Sequence, residues 1–557
     1  MVTTRSSTRG TPGRADDGSG AAAGASGGAD GDKLQTFHKG VAISMWQNSG
    51  DEHSNWTKFI RSPWPFSWLP FGLKRYSGTH SVEQACPDTW NRYEEDIALA
   101  VKAGCNAFRL SIEWARIEPR RGEFDEHAIA RTNDMLDAMH AAGLEPNATL
   151  HHFTHPQWFE DLGGFERAEN IPIFVAWALK AVELFGSRVT FWATFNEPTV
   201  QPPRRAPLRG AHRRRARPRR CARPAAPRRL PGRRRRRRRP QCAMFLGWIT
   251  GMHPPGKVLA CATAGRVVMH KLQAHVAAYE AIKRTPRGRT LQVGLVHHHI
   301  TFLATGPRLL RALAGYAAGW MNYWWGYELI HEWMLTGRFT WRLPLLGQWL
   351  EWQCPGGRPP CDWFGVNYYS RAVVTWYLKP WCLPGEVMTD MYYPIYADGL
   401  YEALMQASQY RMPIYITETG IADRSDANRA TMIDKYMQAT LRAVADGADV
   451  RGFYYWTLVD NFEWNAGYMM EFGLYAWRPD GSVDRKLKDG ARALVKYFKA
   501  LPNGMAALRA AAEAMAASGE LPDHGAMHDE AAEALSGLTA RGQRRSSRRH
   551  HALLTAT

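Results

Sequence analysis

The sequence lacks closely spaced cysteine pairs and long apolar runs. These two absences disfavour disulfide-rich, zinc-binding and membrane-spanning proteins. Its 557 residues include eight cysteines, which form no CxxC pair and show no regular spacing, so a disulfide scaffold and a zinc module are both disfavoured. No run of about 18 uninterrupted apolar residues occurs, and we therefore predict no membrane span. The nearest candidate, 312–327, contains Asn322 and is followed by Glu328, which favours a helix and loop packed against the core.

The amino-terminal segment also lacks the apolar stretch of a secretory signal. Its first 33 residues are rich in Gly, Ala, Ser and Thr, and we expect residues 1–35 to be disordered. A cytoplasmic or plastid location is favoured over secretion. A transit peptide stays open, although several Asp residues in this segment count against one.

The sequence has an excess of positive charge, and this excess lies in a single arginine-rich segment. The formal net charge is +19, and the 19 arginines from Arg204 to Arg239, with no acidic residue among them, account for all of it. The remainder of the chain is near neutrality. The charge of the whole chain therefore predicts no specific nucleic-acid partner, and nothing in the sequence predicts an oligomeric state.

Residues 202–240 consist almost wholly of Arg, Pro, Ala and Gly and have no hydrophobic periodicity, so they cannot form a core. One interpretation is a polyanion-binding loop, because clustered guanidinium groups attract phosphates. The other is that GC-rich non-coding DNA has been translated. We favour the second, since ordinary sequence resumes at 242–245, and sequencing of the spliced transcript distinguishes the two.

Apolar strand-like runs alternate with longer helical patterns from Phe37 to Leu501. The predicted strands are Gly40–Ser44, Ala107–Ser111, Glu145–His151, Thr190–Asn196, Gln292–His298, Asp362–Asn367, Pro413–Glu418 and Val450–Thr457. Predicted helices include Tyr93–Ala103, Ala128–Ala142, Ile171–Phe185, Asn428–Asp446 and Asp489–Ala500. Repeated βα units of this kind predict an α/β fold, a (β/α)8 TIM barrel forming a single domain over 36–502. An Ala-rich and basic tail, beginning with a frayed helix, is expected over 503–557.

Two glutamates stand at predicted strand ends. Glu197 follows the run 190–196 and precedes Pro198, and Glu418 ends the run 413–418 just before Thr419 and Gly420. Catalytic side chains of barrel enzymes lie at the carboxyl-terminal ends of the strands. We therefore predict that these two carboxyl groups share one active site.

A series of motifs runs in order along the predicted barrel. It comprises GVAISMWQ at 40–47, RYEED at 92–96, FRLSIEW at 108–114, HHF at 151–153, NEP at 196–198, DWFGVNYY at 362–369, TETG at 417–420 and YWTLVDNFEW at 455–464. The ordered set resembles glycoside hydrolase family 1, the β-glucosidase and β-glycosidase group. The resemblance implies a retaining β-glycosidase that hydrolyses terminal non-reducing β-D-glycosyl residues of small-molecule glycosides, without a metal or cofactor.

The resemblance also assigns roles to residues. It implies that Glu418 is the nucleophile and Glu197 the acid/base. The residues implied in sugar binding, with Tyr369 also expected to hydrogen-bond Glu418, are Gln47, His152, Asn196, Tyr369, Trp456, Glu463 and Trp464.

The chemistry of glycoside cleavage fits two carboxyl groups. One must donate a proton while the other meets the developing positive carbon, and retention requires carboxyl groups roughly 5 to 5.5 Å apart. Glu418 must be ionised, and Arg109 is the supporting cation expected to hold it so. Glu197 must begin protonated, which a less polar setting and the charge of Glu418 favour by raising its pKa.

Several residues depart from the commonest pattern of the family and leave the sugar open. Phe153 replaces a usual Trp, and Thr419 stands where Asn is frequent. Aromatic side chains expected in loops either frame the mouth, where they could bind a hydrophobic aglycone or glycolipid, or fold onto the barrel wall. They are Trp64, Phe66, Trp68, Phe71, Trp320, Trp324 and Trp325.

Alternatives to hydrolysis stay open. The same site could transfer the sugar to a lipid or sugar hydroxyl, as a transglycosylase resembling the galactolipid-remodelling branch. A catalytically dead barrel that binds polyanions conflicts with the presence of both glutamates. The histidines at 151, 152 and 155 and at 297–299 are not expected to bind a metal, because alternate strand residues face opposite sides.

Overall fold

Eight parallel strands close into a barrel in the computed structural model, which describes residues 34–62, 82, 85–200, 254, 260–375 and 380–518. The barrel strands are β1 (His38–Ala42), β2 (Ala107–Ser111), β3 (Glu145–Thr149), β4 (Phe191–Asn196), β5 (Gln292–His298), β9 (Trp363–Asn367), β12 (Ile414–Thr419) and β13 (Val450–Trp456). Their order around the barrel is β1-β13-β12-β9-β5-β4-β3-β2. The predicted (β/α)8 barrel is confirmed.

The predicted strand positions hold, with small shifts at the ends. Strand β3 stops at Thr149, two residues before the predicted end, because the chain there turns into the mouth of the barrel. Strand β1 ends at Ala42 rather than Ser44, since Ser44 already stands at the start of the next helix. The predicted segment 1–35 lies almost wholly outside the described residues, as does 202–240.

Short strands fill the connections at the carboxyl-terminal end of the barrel. They are β6 (Phe302–Ala304), β7 (Arg338–Leu343), β8 (Gly347–Gln353), β10 (Ala372–Val374), β11 (Pro380–Trp381), β14 (Tyr475–Ala476) and β15 (Lys486–Leu487). Strands β6, β10 and β11 form one small sheet, and β7 pairs with β8 in a hairpin. Both features belong to the connections that follow β5 and β9.

Helices surround the barrel and follow the predicted pattern. They are α1 (Met45–Ser49), α2 (Asn55–Arg61), α3 (Tyr93–Lys102), α4 (Trp114–Ile117), α5 (Glu126–Ala141), α6 (Gln157–Asp161), α7 (Ile171–Phe185), α8 (Cys261–Lys283), α9 (Arg308–Trp324), α10 (Glu328–Thr336), α11 (Asp398–Ser408), α12 (Arg429–Ala445), α13 (Arg492–Ala500) and α14 (Met505–Ser518). Helix α5 begins before its predicted start because the Asp125 carboxylate accepts a hydrogen bond from the Ala128 N–H and caps the first turn.

Two segments differ from their predicted form. Trp320 and Trp324 lie within α9 rather than in a loop, because the Leu- and Ala-rich sequence from 308 onward extends the helix back from 312. Helix α14 lies just after residue 502, where a frayed helix was predicted, but it is packed on the barrel and buries Leu508 and Ala512. Among the described residues, no helix is both long and apolar enough to cross a membrane.

The interior of the barrel is filled by aromatic rings at its amino-terminal end. Phe191, Trp363, Tyr415 and Tyr454 project inward from four strands and are buried. Gly294 makes room for them, because a Cβ atom there would lie 2.3 Å from the Trp363 ring. This closed floor leaves the opposite, carboxyl-terminal end as the open mouth.

Candidate active site

Glu418 lies near the end of β12, held by two hydrogen-bond donors. The Arg109 guanidinium on β2 donates to its Oε1 over 2.6 Å, and the Tyr369 hydroxyl donates to its Oε2 over 2.8 Å. Arg109 is fully buried, and its second terminal nitrogen donates to Asn196 Oδ1 over 2.8 Å. One buried cation thus positions residues from two other strands.

Glu197 directly follows β4 and stands in an unusual backbone conformation. Its φ of 47° lies in the left-handed region, which side-chain-bearing residues seldom adopt and which concentrates at functional sites. Asn367 Nδ2, at the end of β9, donates to Glu197 Oε1 over 2.7 Å and to Asn196 Oδ1 over 3.1 Å. The Thr417 hydroxyl donates to Asn367 Oδ1 and fixes the amide orientation.

The two glutamates therefore meet different partners within one network. Burial raises the pKa of Glu197 to about 7, and the nearest opposing influence is the neutral amide of Asn367, with Arg109 acting from farther away. Burial also raises the pKa of Glu418, while Arg109 and Tyr369 oppose that rise directly. Glu418 is therefore the more strongly stabilised anion, although its burial goes beyond what the sequence predicted. The carboxyl separation of roughly 5 to 5.5 Å stays a prediction.

Polar side chains from the connections that follow the first and last barrel strands also line the mouth. Gln47 Nε2 on α1 donates to Glu463 Oε2 over 3.3 Å and to the Phe462 carbonyl over 3.0 Å. Burial, and then the negative charge of Glu418, raise the pKa of Glu463 to about 8, while hydrogen bonds from Trp456 and Gln47 oppose the rise. Glu463 can consequently hold a proton near neutral pH, which was not predicted.

His152 connects this side to the glutamates. Its Nε2 lies 3.9 Å from Glu418 Oε1 and 3.3 Å from Asn196 Nδ2, and its ring stacks 5.8 Å from that of Trp456. Burial lowers the pKa of His152 far below its usual value, so the ring is neutral. An amide donor at Nε2 assigns the ring proton to Nδ1, which makes no hydrogen bond within the described residues.

Trp464 belongs to an aromatic wall. Its ring is parallel to that of Trp46 at a centroid distance of 5.4 Å and lies 4.5 Å from that of Trp56. The Phe153 ring meets it edge-on at 5.2 Å. The smaller ring at Phe153 is thus accommodated by contact with Trp464, and all ten predicted site residues lie around one mouth.

Two side chains in this mouth were not predicted. Asn367, which holds Glu197, was within a recognised motif, and its position at a strand end was the available signal. His298 ends β5, its ring meets that of Tyr369 edge-on at 5.8 Å, and the Glu418 charge acts on it. Its Nε2 makes no hydrogen bond in the described parts of the chain. Its immediate neighbours His297 and His299 face elsewhere, toward the Gly326 carbonyl and the Tyr327 ring.

A buried carboxyl pair beside the mouth was also missed. Glu113 follows β2, and burial together with the charge of Asp51 raises the pKa of Glu113 to about 8. Thr154 and Arg116 oppose that rise. The pair joins connections from the first two strands, so no local sequence signal indicated it.

The histidines that follow β3 form a chain rather than a shared ligand set. His151 Nε2 lies 3.1 Å from His155 Nδ1, and His155 Nε2 lies 2.7 Å from Glu160 Oε2. Across the described ranges, no group of three or more His, Cys, Asp or Glu side chains could hold a metal ion.

Comparison with known proteins identifies this arrangement. The model of the family "Glycosyl hydrolase family 1" matches residues 42–204 and 358–502. A β-galactosidase of Pyrococcus woesei is 26% identical over 70% of this chain and 81% of that protein. β-Glucosidase 47 of Arabidopsis thaliana is 27% identical over 79% of this chain and 81% of its own length.

Solved structures agree on the fold. A β-glycosidase from Pyrococcus horikoshii superposes with a TM-score of 0.63 and 27% identity, covering 83% of this chain and 94% of that one. A β-glucosidase from Thermotoga maritima, solved with cyclophellitol, gives 0.64 at 23% identity over 84% and 98% of the two chains. The chain is a β-glycosidase and belongs to glycosyl hydrolase family 1.

Proposed function

We propose that this β-glycosidase hydrolyses terminal non-reducing β-D-glycosyl residues with retention, by double displacement on Glu418 with Glu197 as acid/base. The proposal rests on the different hydrogen-bond partners of the two glutamates. Glu418 is held by a guanidinium and a phenol, both of which favour its anion. Glu197 accepts from an amide and has a pKa near 7, so a large fraction of it is protonated at neutral pH.

In the first step, a Glu418 oxygen attacks the anomeric carbon while the bond to the leaving-group oxygen breaks. Glu197 transfers its proton to that oxygen, so the aglycone departs as a neutral alcohol. The glycosyl ester formed on Glu418 has the α configuration. Arg109 and Tyr369 stabilise the carboxylate before attack, and they orient it toward the sugar.

In the second step, a water molecule hydrolyses the glycosyl ester. The charges of Glu197 and Glu418 repel each other, so formation of the neutral ester on Glu418 makes ionisation of Glu197 easier. Glu197 is then ionised and accepts a proton from the water as the water oxygen attacks the anomeric carbon. Glu418 leaves as a carboxylate, and the released sugar again has the β configuration.

The other side chains in the mouth suit a pyranose ring with several hydroxyl groups. Gln47 Oε1 and His152 Nδ1 are buried acceptor and donor atoms without hydrogen-bond partners in the described residues. Trp456 offers an aromatic face close to Glu463 and His152. We propose that these groups, with Asn196 and Trp464, bind the sugar hydroxyls and the sugar face.

The proposal is tested by following an aryl β-glucoside by proton NMR. Retention predicts that the β anomer of free glucose forms first and then mutarotates, whereas α glucose as the first product overturns the double displacement. The Glu197→Ala variant should lose far more rate on an alkyl glucoside than on a dinitrophenyl glucoside, which barely needs a proton. Equal losses on both contradict the role of Glu197. Free sugar as the sole product separates hydrolysis from transfer.

A further inference from the structure

Helix α9 exposes large apolar side chains along its amino-terminal half. Leu309, Leu313 and Tyr316 are 86%, 64% and 58% exposed, whereas Ala314 and Ala318 are buried. The exposed residues recur at intervals of four and three, so one helical face presents them together. A helix packed on a protein core ordinarily buries such a face, so the outward stripe points to a contact that the described residues do not supply.

The charged side chains of α9 itself are both positive. From residue 301 to residue 327 the chain has no Asp or Glu, and its charged side chains are Arg308 and Arg311. Both arginines are exposed and stand in the first turn of α9, where the helix dipole disfavours a cation. Helix stability therefore does not explain them, whereas attraction to an anionic surface does.

The helix that carries the stripe is fixed at one end to the connections around the mouth of the barrel. Strand β6 begins just after β5 ends at His298, and Asn322 near the end of α9 hydrogen-bonds both the N–H and the carbonyl of Phe302 on β6. Strand β6 pairs with β10, which follows Tyr369. The carboxyl-terminal half of α9 is thus fixed to the rim, and the half that carries Leu309 and Leu313 is the exposed one.

The neighbouring hairpin extends the apolar surface. Trp324 Nε1 donates to the Arg342 carbonyl over 2.9 Å, and the Trp324 and Trp341 rings stack 5.8 Å apart. These contacts hold the β7–β8 hairpin against α9. Its turn carries Leu345 and Leu346, which are 98% and 69% exposed.

We propose that the outward stripe of α9 docks onto an anionic lipid bilayer, and that this glycosidase cleaves glycosides whose sugars project from that bilayer. The leucines and the tyrosine on one face of α9 suit insertion at the boundary between headgroups and acyl chains. The two arginines beside them suit contact with anionic headgroups. Docking there would bring the mouth close to the lipid headgroups. The substrate assignment rests on the function proposed above, whereas the docking does not.

Vesicle flotation tests the docking on the full-length chain. Vesicles of phosphatidylcholine with a minority of phosphatidylglycerol are used in high salt, which screens the attraction of the arginines at 204–239. The parent protein should float with the vesicles. The double variant Leu309→Asp/Leu313→Asp should bind at least about tenfold more weakly, because two leucine side chains no longer insert and a carboxylate is costly to move out of water.

Val101→Asp is the matched control, since Val101 is 42% exposed on α3 of the barrel wall. This variant should bind vesicles as the parent does. Unchanged Tm and unchanged hydrolysis of an aryl glycoside in all variants show that the fold is intact. Failure of the parent to float, or equal flotation of the double variant, overturns the docking.

Hydrolysis of a β-glucosyl diacylglycerol embedded in the same vesicles tests the substrate class. The double variant should lose at least about tenfold of this rate while keeping its rate on the soluble aryl glucoside. An equal rate on the embedded lipid overturns the assignment. Parent protein that floats but cleaves neither substrate would refute the proposed hydrolysis and leave the docking supported.

Discussion

The same barrel strands build a floor and a rim of opposite character. Strand β9 begins with Trp363 and ends with Asn367, and β12 carries Tyr415 near its start and Glu418 near its end. Several polar atoms at the floor are paired, as when the Trp363 indole donates to the Gln292 carbonyl over 3.1 Å and His38 Nδ1 lies 2.7 Å from the Tyr454 hydroxyl. The floor is arranged as a stable core.

The rim is arranged differently. Buried carboxyl groups there have raised pKa values, about 7 for Glu197 and about 8 for Glu463. Gln47, His152 and His298 each leave a buried polar atom without a hydrogen-bond partner in the described residues. Such groups cost stability, so the comparison teaches that the rim is organised for a ligand and the floor for folding.

The largest effect is expected at the rim. Glu418→Ala should lower kcat by at least about four orders of magnitude, equivalent to on the order of 5 kcal/mol of barrier, because the nucleophile is lost. Some stability should be lost as well, because the buried guanidinium of Arg109 loses its ion-pair partner. Steady-state kinetics on the folded variant measures kcat, and a kcat close to that of the parent would break the comparison.

At the floor the pattern should reverse. Trp363→Ala should lower the free energy of unfolding by about 3–5 kcal/mol, because a fully buried indole leaves a cavity. The folded fraction should keep most of its kcat. Trp349→Ala in the hairpin, where the side chain is 49% exposed, is the control and should cost far less. Denaturant unfolding measures both variants, and equal losses would contradict the account.

The pH dependence of stability sharpens the comparison further. In the unfolded chain Glu113 ionises near its ordinary value, whereas in the folded chain its pKa is about 8. The folded state therefore binds more protons between these values, and its stability is fully present below the lower value and is lost as pH rises through the upper one. Glu113→Gln should weaken this decline by on the order of 2 kcal/mol.

Denaturant unfolding of parent and Glu113→Gln at pH of about 5 and about 8 measures this effect. The two proteins should differ most in how much stability each loses between the two pH values. A decline of the same size in both would show that Glu113 does not titrate in the folded state as described.

The smallest effect concerns the amide that holds Glu197. Asn367→Ala removes a hydrogen bond that lowers the pKa of Glu197, so the alkaline limb of kcat/KM should move to higher pH. Asn91→Ala, an exposed amide bonded to Asp88, is the control and should leave the limb in place. If the alkaline limb of kcat/KM does not move in Asn367→Ala, that limb reports the ionisation of a group other than Glu197.

Sequence reasoning predicted what depends on local pattern. The barrel followed from alternating periodicities, and Glu197 and Glu418 followed from their strand-end positions and motifs. His298 and the Asp51–Glu113 pair were missed, because their roles arise from contacts between segments far apart in the chain. The outward face of α9 was missed for a related reason, since periodicity identifies an apolar face without revealing which side the barrel covers.

The configuration of glycosyl azides formed by two variants tests the central claim, that the two glutamates act from opposite faces of one sugar. With an activated aryl β-glucoside and azide, Glu418→Ala should yield the α-glucosyl azide, because azide enters where the nucleophile stood. Glu197→Ala should yield the β-glucosyl azide, because azide attacks the glycosyl ester from the face vacated by the acid/base. The same configuration from both variants, or the reverse assignment, would contradict the account.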